Sequence, residues 1–130
     1  MAHKYKVSPA AERRALGRTF GSKAEMLYAL ACEQWVEDGD ILWYICQPKV
    51  WLGVPTYTYT PDFLLCPKEG SPHFVDVKGV WTTAFKRHAK MWKAHGPAQL
   101  VIIERRGKKF VITDYVNPDY KDQPATEEDK

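Results

Sequence analysis

Residues 57–65 read YTYTPDFLL and residues 73–78 read HFVDVK, two runs rich in β-branched and aromatic side chains on either side of the turn-forming CPKEGSP. Runs of this kind pair as neighbouring strands, and the pair commits the chain to a sheet. Each run nevertheless carries a carboxylate: Asp62 directly after Pro61, and Asp76 two residues before Lys78. Side chains alternate faces along a strand, so Asp76 and Lys78 share one side while His73, Val75 and Val77 share the other. The same parity groups Thr58, Thr60 and Asp62. If the two strands pair, Asp62, Asp76 and Lys78 converge at one end of the sheet.

Around this pair, helix and strand signals alternate. Ser22-Lys23-Ala24-Glu25 has the form of a capping box opening a helix over residues 22–38, with Gly39 as its stop. Residues 41–47, ILWYICQ, read as a strand, and residues 49–52, hemmed in by Pro48 and Gly53-Val54-Pro55, as a short edge strand at most. A second helix is predicted over residues 83–95, with Phe85, Ala89 and Trp92 on one face, Lys86, Lys90 and Lys93 beside them, and Gly96-Pro97 as its end. Residues 99–104 and 109–115 then form strands about the turn RRGK. The order α-β-β-β-α-β-β predicts an α/β domain with a mixed sheet and helices packed on it, not a doubly wound parallel ladder. Residues 1–19 have little hydrophobic periodicity and read as a flexible or partner-dependent basic N-terminal arm, residues 20–118 as one domain, and residues 119–130 as an acidic, disordered tail.

A chain of 130 residues suffices for one domain with a real core and not for two. No apolar run approaches the roughly 18 residues of a membrane span, and the polar opening MAHKYK has no leader pattern, so no membrane partner is expected. Cys32, Cys46 and Cys66 form no C-x-x-C pair and read as buried thiols of a reducing, intracellular compartment rather than as a zinc site or disulfide framework. Charge is unevenly placed. Residues 119–130 carry five acids and two bases, which leaves +6 on residues 1–118 of a chain whose net charge is +3. Residues 1–23 hold six bases against Glu12, and residues 86–109 hold eight against Glu104. A basic body with an acidic tail suits a nucleic-acid partner, although a merely solvated surface has the same composition. P-loop, G-x-G-x-x-G, G-x-S-x-G and H-E-x-x-H motifs are all absent, and no organic cofactor is expected.

Two carboxylates within a few ångströms of each other resist ionising together unless a cation lies between them. Hard oxygen ligands suit Mg²⁺, with Mn²⁺ able to substitute, and such ions keep several waters and bridge to phosphate. A lysine beside them can orient or help deprotonate an attacking water, or balance charge developing on the phosphorus centre. The constellation therefore fits metal-assisted phosphodiester hydrolysis. The motif alone is not specific, because Pro-Asp recurs at Pro118-Asp119 and an acid-x-Lys triplet at Asp119-Tyr120-Lys121 and Glu128-Asp129-Lys130. Those copies sit where there is no strand pattern, whereas the upstream set has apolar alternation, a turn between its halves and a basic helix after it. The plain alternative is a surface ion pair on a half-exposed hairpin.

TYTPDFLL followed by FVDVKGVW resembles the core of phage endonuclease I, the Holliday-junction-resolving branch of the PD-(D/E)-x-K nucleases. The likeness starts at Phe20-Gly21-Ser22 and runs through the helix carrying Lys86-Arg87 to LVIIE, with identity concentrated in the two strand motifs. It implies a restriction-endonuclease-like core, a mixed β-sheet of about four to five strands flanked by helices, as a nuclease domain over residues 20–118. It further implies a Mg²⁺-dependent endodeoxyribonuclease that resolves four-way DNA junctions as a homodimer, located in the host cytoplasm if phage-encoded. Paired symmetric cuts need two sites related by a two-fold axis, which a homodimer provides. In that family the helix before the sheet adds a glutamate to the metal site, and Glu25 stands in the matching place. Asp76 occupies a position where glutamate is frequent and either acid is allowed. The implied set is Glu25, Asp62 and Asp76 around the metal, the Val77 carbonyl as an extra ligand, and Lys78 positioning the nucleophilic water.

Glu25 has a competing use, since a carboxylate folded back to complete the capping box cannot reach a metal. Glu33, about two turns further along the same helix, is the alternative carboxylate and is expected on a solvated face. Candidate DNA contacts are Arg13, Arg14 and Arg18 in the arm, Lys23, and Lys86, Arg87 and Lys90 on the second helix, with Gln47 at a strand end near the site. Trp81 and Trp92 suit base stacking or core packing, and the histidines have no metal-ligand spacing. Open alternatives are another nuclease of the superfamily acting in repair, nicking or at transposon ends, a non-catalytic DNA-binding module, and an interaction protein using the acidic tail.

Overall fold

The computed structural model describes residues 7–119. Residues Ala10–Arg13 make a turn of 3-10 helix, followed by a small hairpin of β1 (Arg14–Ala15) and β2 (Arg18–Thr19). Then come α1 (Lys23–Asp38), β3 (Ile41–Cys46), the short pair β4 (Val50–Trp51) and β5 (Thr58–Tyr59), β6 (Phe63–Pro67), β7 (His73–Val77), α2 (Thr83–His95), β8 (Leu100–Arg106) and β9 (Lys109–Val116). β3, β6, β7, β8 and β9 lie in that order in one five-stranded sheet. Neighbours run antiparallel except β7 and β8, whose parallel pairing α2 makes possible as the crossover. The architecture is mixed α/β, a five-stranded mixed sheet with two helices packed on it.

Local chemistry explains the helix ends. Ser22 caps α1 by accepting the Glu25 N–H at 3.1 Å, and Gly39 closes it in the left-handed region at φ 82°. Thr82 caps α2 by accepting the Phe85 N–H at 3.1 Å. Each helix covers one sheet face. Tyr28, Ala29 and Cys32 of α1 pack on Phe63, Leu65, Val75, Val101 and Ile103. Phe85, Ala89 and Trp92 of α2 pack on Phe74, Leu100 and Ile102. Central strands buried on both faces read as unbroken apolar runs, which is why residues 100–103 are LVII. Trp92 is core: its Nε1 donates to the Ala98 carbonyl at 2.8 Å, and a Cβ at Gly96 would come within 2.6 Å of that nitrogen. Among the described residues, no helix is long and apolar enough to cross a membrane.

Three expectations need correction. Residues 57–65 do not form one strand. The run breaks at 60–62, because Pro61 has no N–H to continue a ladder, and Thr58–Tyr59 pair instead with Val50–Trp51. Residues 10–19, expected to be flexible, are folded around Arg13, whose Nε and Nη1 donate to the carbonyls of Ser8 and Phe20 at 2.6 Å each. A tight turn at Leu16-Gly17, with φ 53° and 75°, makes this possible without hydrophobic periodicity. Of the three thiols expected to be buried, Cys32 is buried, whereas Cys46 and Cys66 are half-buried. Apart from Asp119, the expected acidic tail lies outside the described residues, as do residues 1–6.

Candidate active site

The register of β6 and β7 builds the site. Phe63 pairs with Val75, so Asp62 and Asp76 stand opposite each other where the two strands end. Backbone ladder bonds stop there and the carboxylates take their place. Asp76 Oδ1 accepts the Asp62 N–H at 2.8 Å, and Asp62 Oδ2 accepts the Val77 N–H at 2.8 Å. Asp76 is 1% exposed, the only charged side chain buried to this degree among the described residues. Its Oδ2 has no hydrogen-bond partner. A buried polar atom left unmet costs about 1–3 kcal/mol, and more when charged, so this oxygen is a place where a ligand gains free energy.

Glu25 reaches the pair from the first turn of α1. Its carboxylate lies over Gly21, where an added Cβ would be only 3.0 Å from Oε1. The Glu25 carboxyl turns toward Gly21 and Asp62. Ser22 keeps its half of the capping box, while the Glu25 carboxyl engages the Gly21 N–H and hydrogen-bonds Asp62. Burial, and then the neighbouring Asp62, push the Glu25 carboxyl up to about 7, with Asp76 adding to the rise and Gly21 N–H and Lys78 opposing it. Burial raises Asp62 against the Val77 N–H, Lys78 and the Glu25 hydrogen bond. Burial likewise takes Asp76 up to about 6, opposed by Lys78 and the Asp62 N–H. Desolvation is the leading cause at all three, and repulsion between carboxylates adds to it only at Glu25.

Among the described residues, no group of three or more His, Cys, Asp or Glu side chains is arranged to hold a metal ion, Glu25, Asp62 and Asp76 together included. Mg²⁺ does not require such a group, because it is held by one or two carboxylates and several waters. The open Asp76 Oδ2 beside Asp62 and Glu25 fits such an ion. Lys78 follows directly after β7, half-buried, its N–H donating to the Ile103 carbonyl at 2.8 Å and its Nζ lying 4.8 Å from the Phe85 ring centroid. With Val77, Gly79, Val80 and Thr82 it lines a cavity of about 240 Å³, which none of the three carboxylates lines.

The sign of the Asp76 shift gives a stability prediction for the metal-free protein. A carboxyl whose folded pKa is raised, here from 3.8 to about 6, costs nothing below the lower value and its full penalty above the upper one. Asp76→Asn should therefore stabilise the protein in EDTA at pH 8 by up to about 3 kcal/mol, with the gain roughly halved at pH 5. Denaturant unfolding at the two pH values checks this, and a gain independent of pH would refute a buried charge at this position.

Other predicted residues divide by location. Gln47 adopts φ 53°, donates its N–H to the Asp62 carbonyl at 2.8 Å and receives Arg18 Nη2 on Oε1 at 3.4 Å, so both belong to the neighbourhood of the site. Arg13 is occupied in its own turn, and Arg14 is exposed with Nη1 3.2 Å from Thr19 Oγ1. Lys23 sits at the start of α1, and Lys86, Arg87 and Lys90 are exposed on α2, with Arg87 over the Tyr57 ring. Glu33 is exposed, as expected, and accepts the Tyr44 hydroxyl proton at 2.6 Å. Trp81 is half-buried, edge-on to Phe85 at 4.8 Å.

Sequence reasoning missed two residues. Gly21 cradles the Glu25 carboxylate, and its signal was the smallest residue standing just before the cap. His88 packs against two tyrosines of the strand region before the site. It stacks on Tyr59 at 4.7 Å, its Nδ1 lies 3.0 Å from the Tyr57 hydroxyl, and burial, Arg87 and Lys78 hold its pKa down. Its signal was the Phe85–His88 spacing along the helix face that meets Tyr59. Comparison of the chain with protein-family models, curated proteins and solved structures gives no match.

Proposed function

We propose that the protein is a Mg²⁺-dependent endodeoxyribonuclease that cuts branched DNA, with the four-way junction as its preferred substrate and a homodimer as its working form. One observation carries the proposal: buried Asp76, bridged to Asp62 across the strand ends, keeps an unpartnered Oδ2 in the same field as Glu25 and Lys78. The five-stranded mixed sheet with a parallel crossover through α2 supports a restriction-endonuclease-like core.

Asp62, Asp76 and Glu25 would hold the metal, with the Val77 carbonyl as an added ligand. Bound there, the ion supplies Lewis-acid polarisation of a phosphoryl oxygen and a more acidic water. The protein's own residues do the positioning. The two 2.8 Å bonds between strand ends fix both aspartates before substrate arrives, so no reorganisation is needed at the moment of reaction. Glu25, near 7, shares a hydrogen bond with Asp62 and can hold or release a proton near neutrality. Lys78 places a cation beside the carboxylates, able to orient the water or offset charge on the departing oxygen. Arg18 and the α2 cations would hold the backbone of the flanking DNA.

The test is cleavage of a synthetic four-way junction beside a linear duplex of the same sequence, in Mg²⁺ and in Mn²⁺. Paired nicks in the junction alone are expected. Equal cutting of both substrates would keep the metal chemistry and remove the junction preference. Junction binding without any cutting would replace the proposal with a non-catalytic DNA-binding module.

A further inference from the structure

We infer that the cavity between α1 and the β8–β9 turn is a nucleotide subsite that seats the DNA strand on the α1 side of the carboxylates. The inference rests on the nuclease function proposed above and deepens it by naming where a flanking nucleotide lies. The cavity measures about 410 Å³ and is lined by Lys23, Leu27 and Ala31 of α1 together with Arg105, Gly107, Lys108 and Phe110. Its size falls in the range of small-ligand pockets, about 300–1,000 Å³.

Two distant stretches make it. Lys23, Leu27 and Ala31 are spaced by four and so form one stripe along the helix. Leu27, Ala31 and Phe110 give an apolar floor, and Phe110 is held in place by an edge-on contact with Tyr28 at 5.1 Å. Lys23, Arg105 and Lys108 form the rim, and no carboxylate lines the cavity. Arg105 Nε donates to the Gly107 carbonyl at 2.9 Å, which pins the guanidinium at the turn. The nearby Glu104 is paired with Arg106 at 2.8 Å, and among the described residues none of the three rim cations has an ion-pair partner. A floor that accepts a base or sugar, under cations that accept a phosphate, is the chemistry of a nucleotide site.

Strand register places this cavity at the working end of the sheet. β7 and β8 are parallel with Val77 opposite Ile103, and Lys78 N–H bonds the Ile103 carbonyl. β8 then continues from Ile103 to Arg106, about 10 Å past the end of β7. On the other wall, Lys23 stands two residues before Glu25 in α1. The first turn of α1 thus separates the subsite from the carboxylates, and a strand crossing one reaches the other.

Equilibrium binding of a labelled four-way junction in EDTA, from 50 to 200 mM salt, tests the subsite with the Arg105→Ala/Lys108→Ala double variant. Loss of two phosphate contacts should lower the slope of log K against log salt by about 2 and the affinity at 150 mM salt by at least about tenfold. Lys68→Ala, in the β6–β7 turn at the opposite end of the sheet, should leave both unchanged. Ala31→Glu should weaken binding more than Ala31→Gln, which reads occupancy of the floor, with unfolding midpoints confirming that each variant folds. Unchanged slope and affinity in the double variant would overturn the subsite and leave the nuclease function standing. Wild-type protein that binds but never cuts in Mg²⁺ would overturn the nuclease function, while the slopes still decide the subsite. Failure of the wild type to bind DNA at all would overturn both.

Discussion

Asp62→Asn should lower junction cleavage by at least about a thousandfold while leaving DNA binding equal or tighter at low Mg²⁺. The structural reason for separating the two effects is that asparagine keeps the scaffold. Its carbonyl oxygen can still accept the Val77 N–H, and the main-chain N–H of residue 62 still meets Asp76 Oδ1. What disappears is a negative charge, which repels phosphate and which, on the proposed function, would help hold a divalent ion. The change also removes the carboxylate that helps hold Glu25 up near 7, so Glu25 should titrate at lower pH in the variant. Single-turnover cleavage and a binding titration on the same junction measure both arms. Unchanged turnover would end the assignment of Asp62 to a metal site.

Lys78→Ala should slow cleavage by about a hundredfold to a thousandfold, the scale of losing one preorganised electrostatic group. Binding should weaken by less than about tenfold, because one phosphate contact at most is lost. A second signature follows from the carboxylates. Lys78 lowers the pKa of Glu25, Asp62 and Asp76 alike, so its removal raises all three. Metal loading needs ionised ligands, and the acid limb of the pH–rate profile should therefore move to higher pH. A residue acting only through phosphate binding would leave that limb in place. Equal losses in rate and affinity, with an unmoved limb, would make Lys78 a phosphate clamp.

Local signals carried the parts of this structure that were legible in the sequence. The bounds of α2 follow from its apolar stripe and the Gly96-Pro97 stop, and α1 from Ser22 and Gly39. Period-two alternation, taken with the expected pairing of the two strands, put Asp62 and Asp76 at one end of the sheet, as the register shows. Where local signals conflicted, the sequence was less informative. β-branched residues run straight through 57–65, yet the missing N–H of Pro61 divides the stretch between two sheets. Glu25 satisfied two patterns at once, and neither pattern shows that its carboxylate lies over Gly21. Lys23 and Lys108 were both visible as cations, but their meeting depends on how far β8 extends past β7, a property of tertiary register. His88 offered no spacing to any other ligand type, so its stacking on Tyr59 had no sequence signature beyond helical periodicity.

The two bonds that join the strand ends, Asp62 N–H to Asp76 Oδ1 and Val77 N–H to Asp62 Oδ2, have a consequence for how the molecule comes together. Shifting β6 against β7 by one residue sends alternate side chains to opposite faces. The aspartates would then point away from each other, and the N–H groups of Asp62 and Val77 would lose their acceptors. A misaligned molecule is therefore not a sluggish version of the correct one, because it has no site at all. Alignment of the strands and assembly of the acidic pair are a single event, and the pair acts as a checksum on folding.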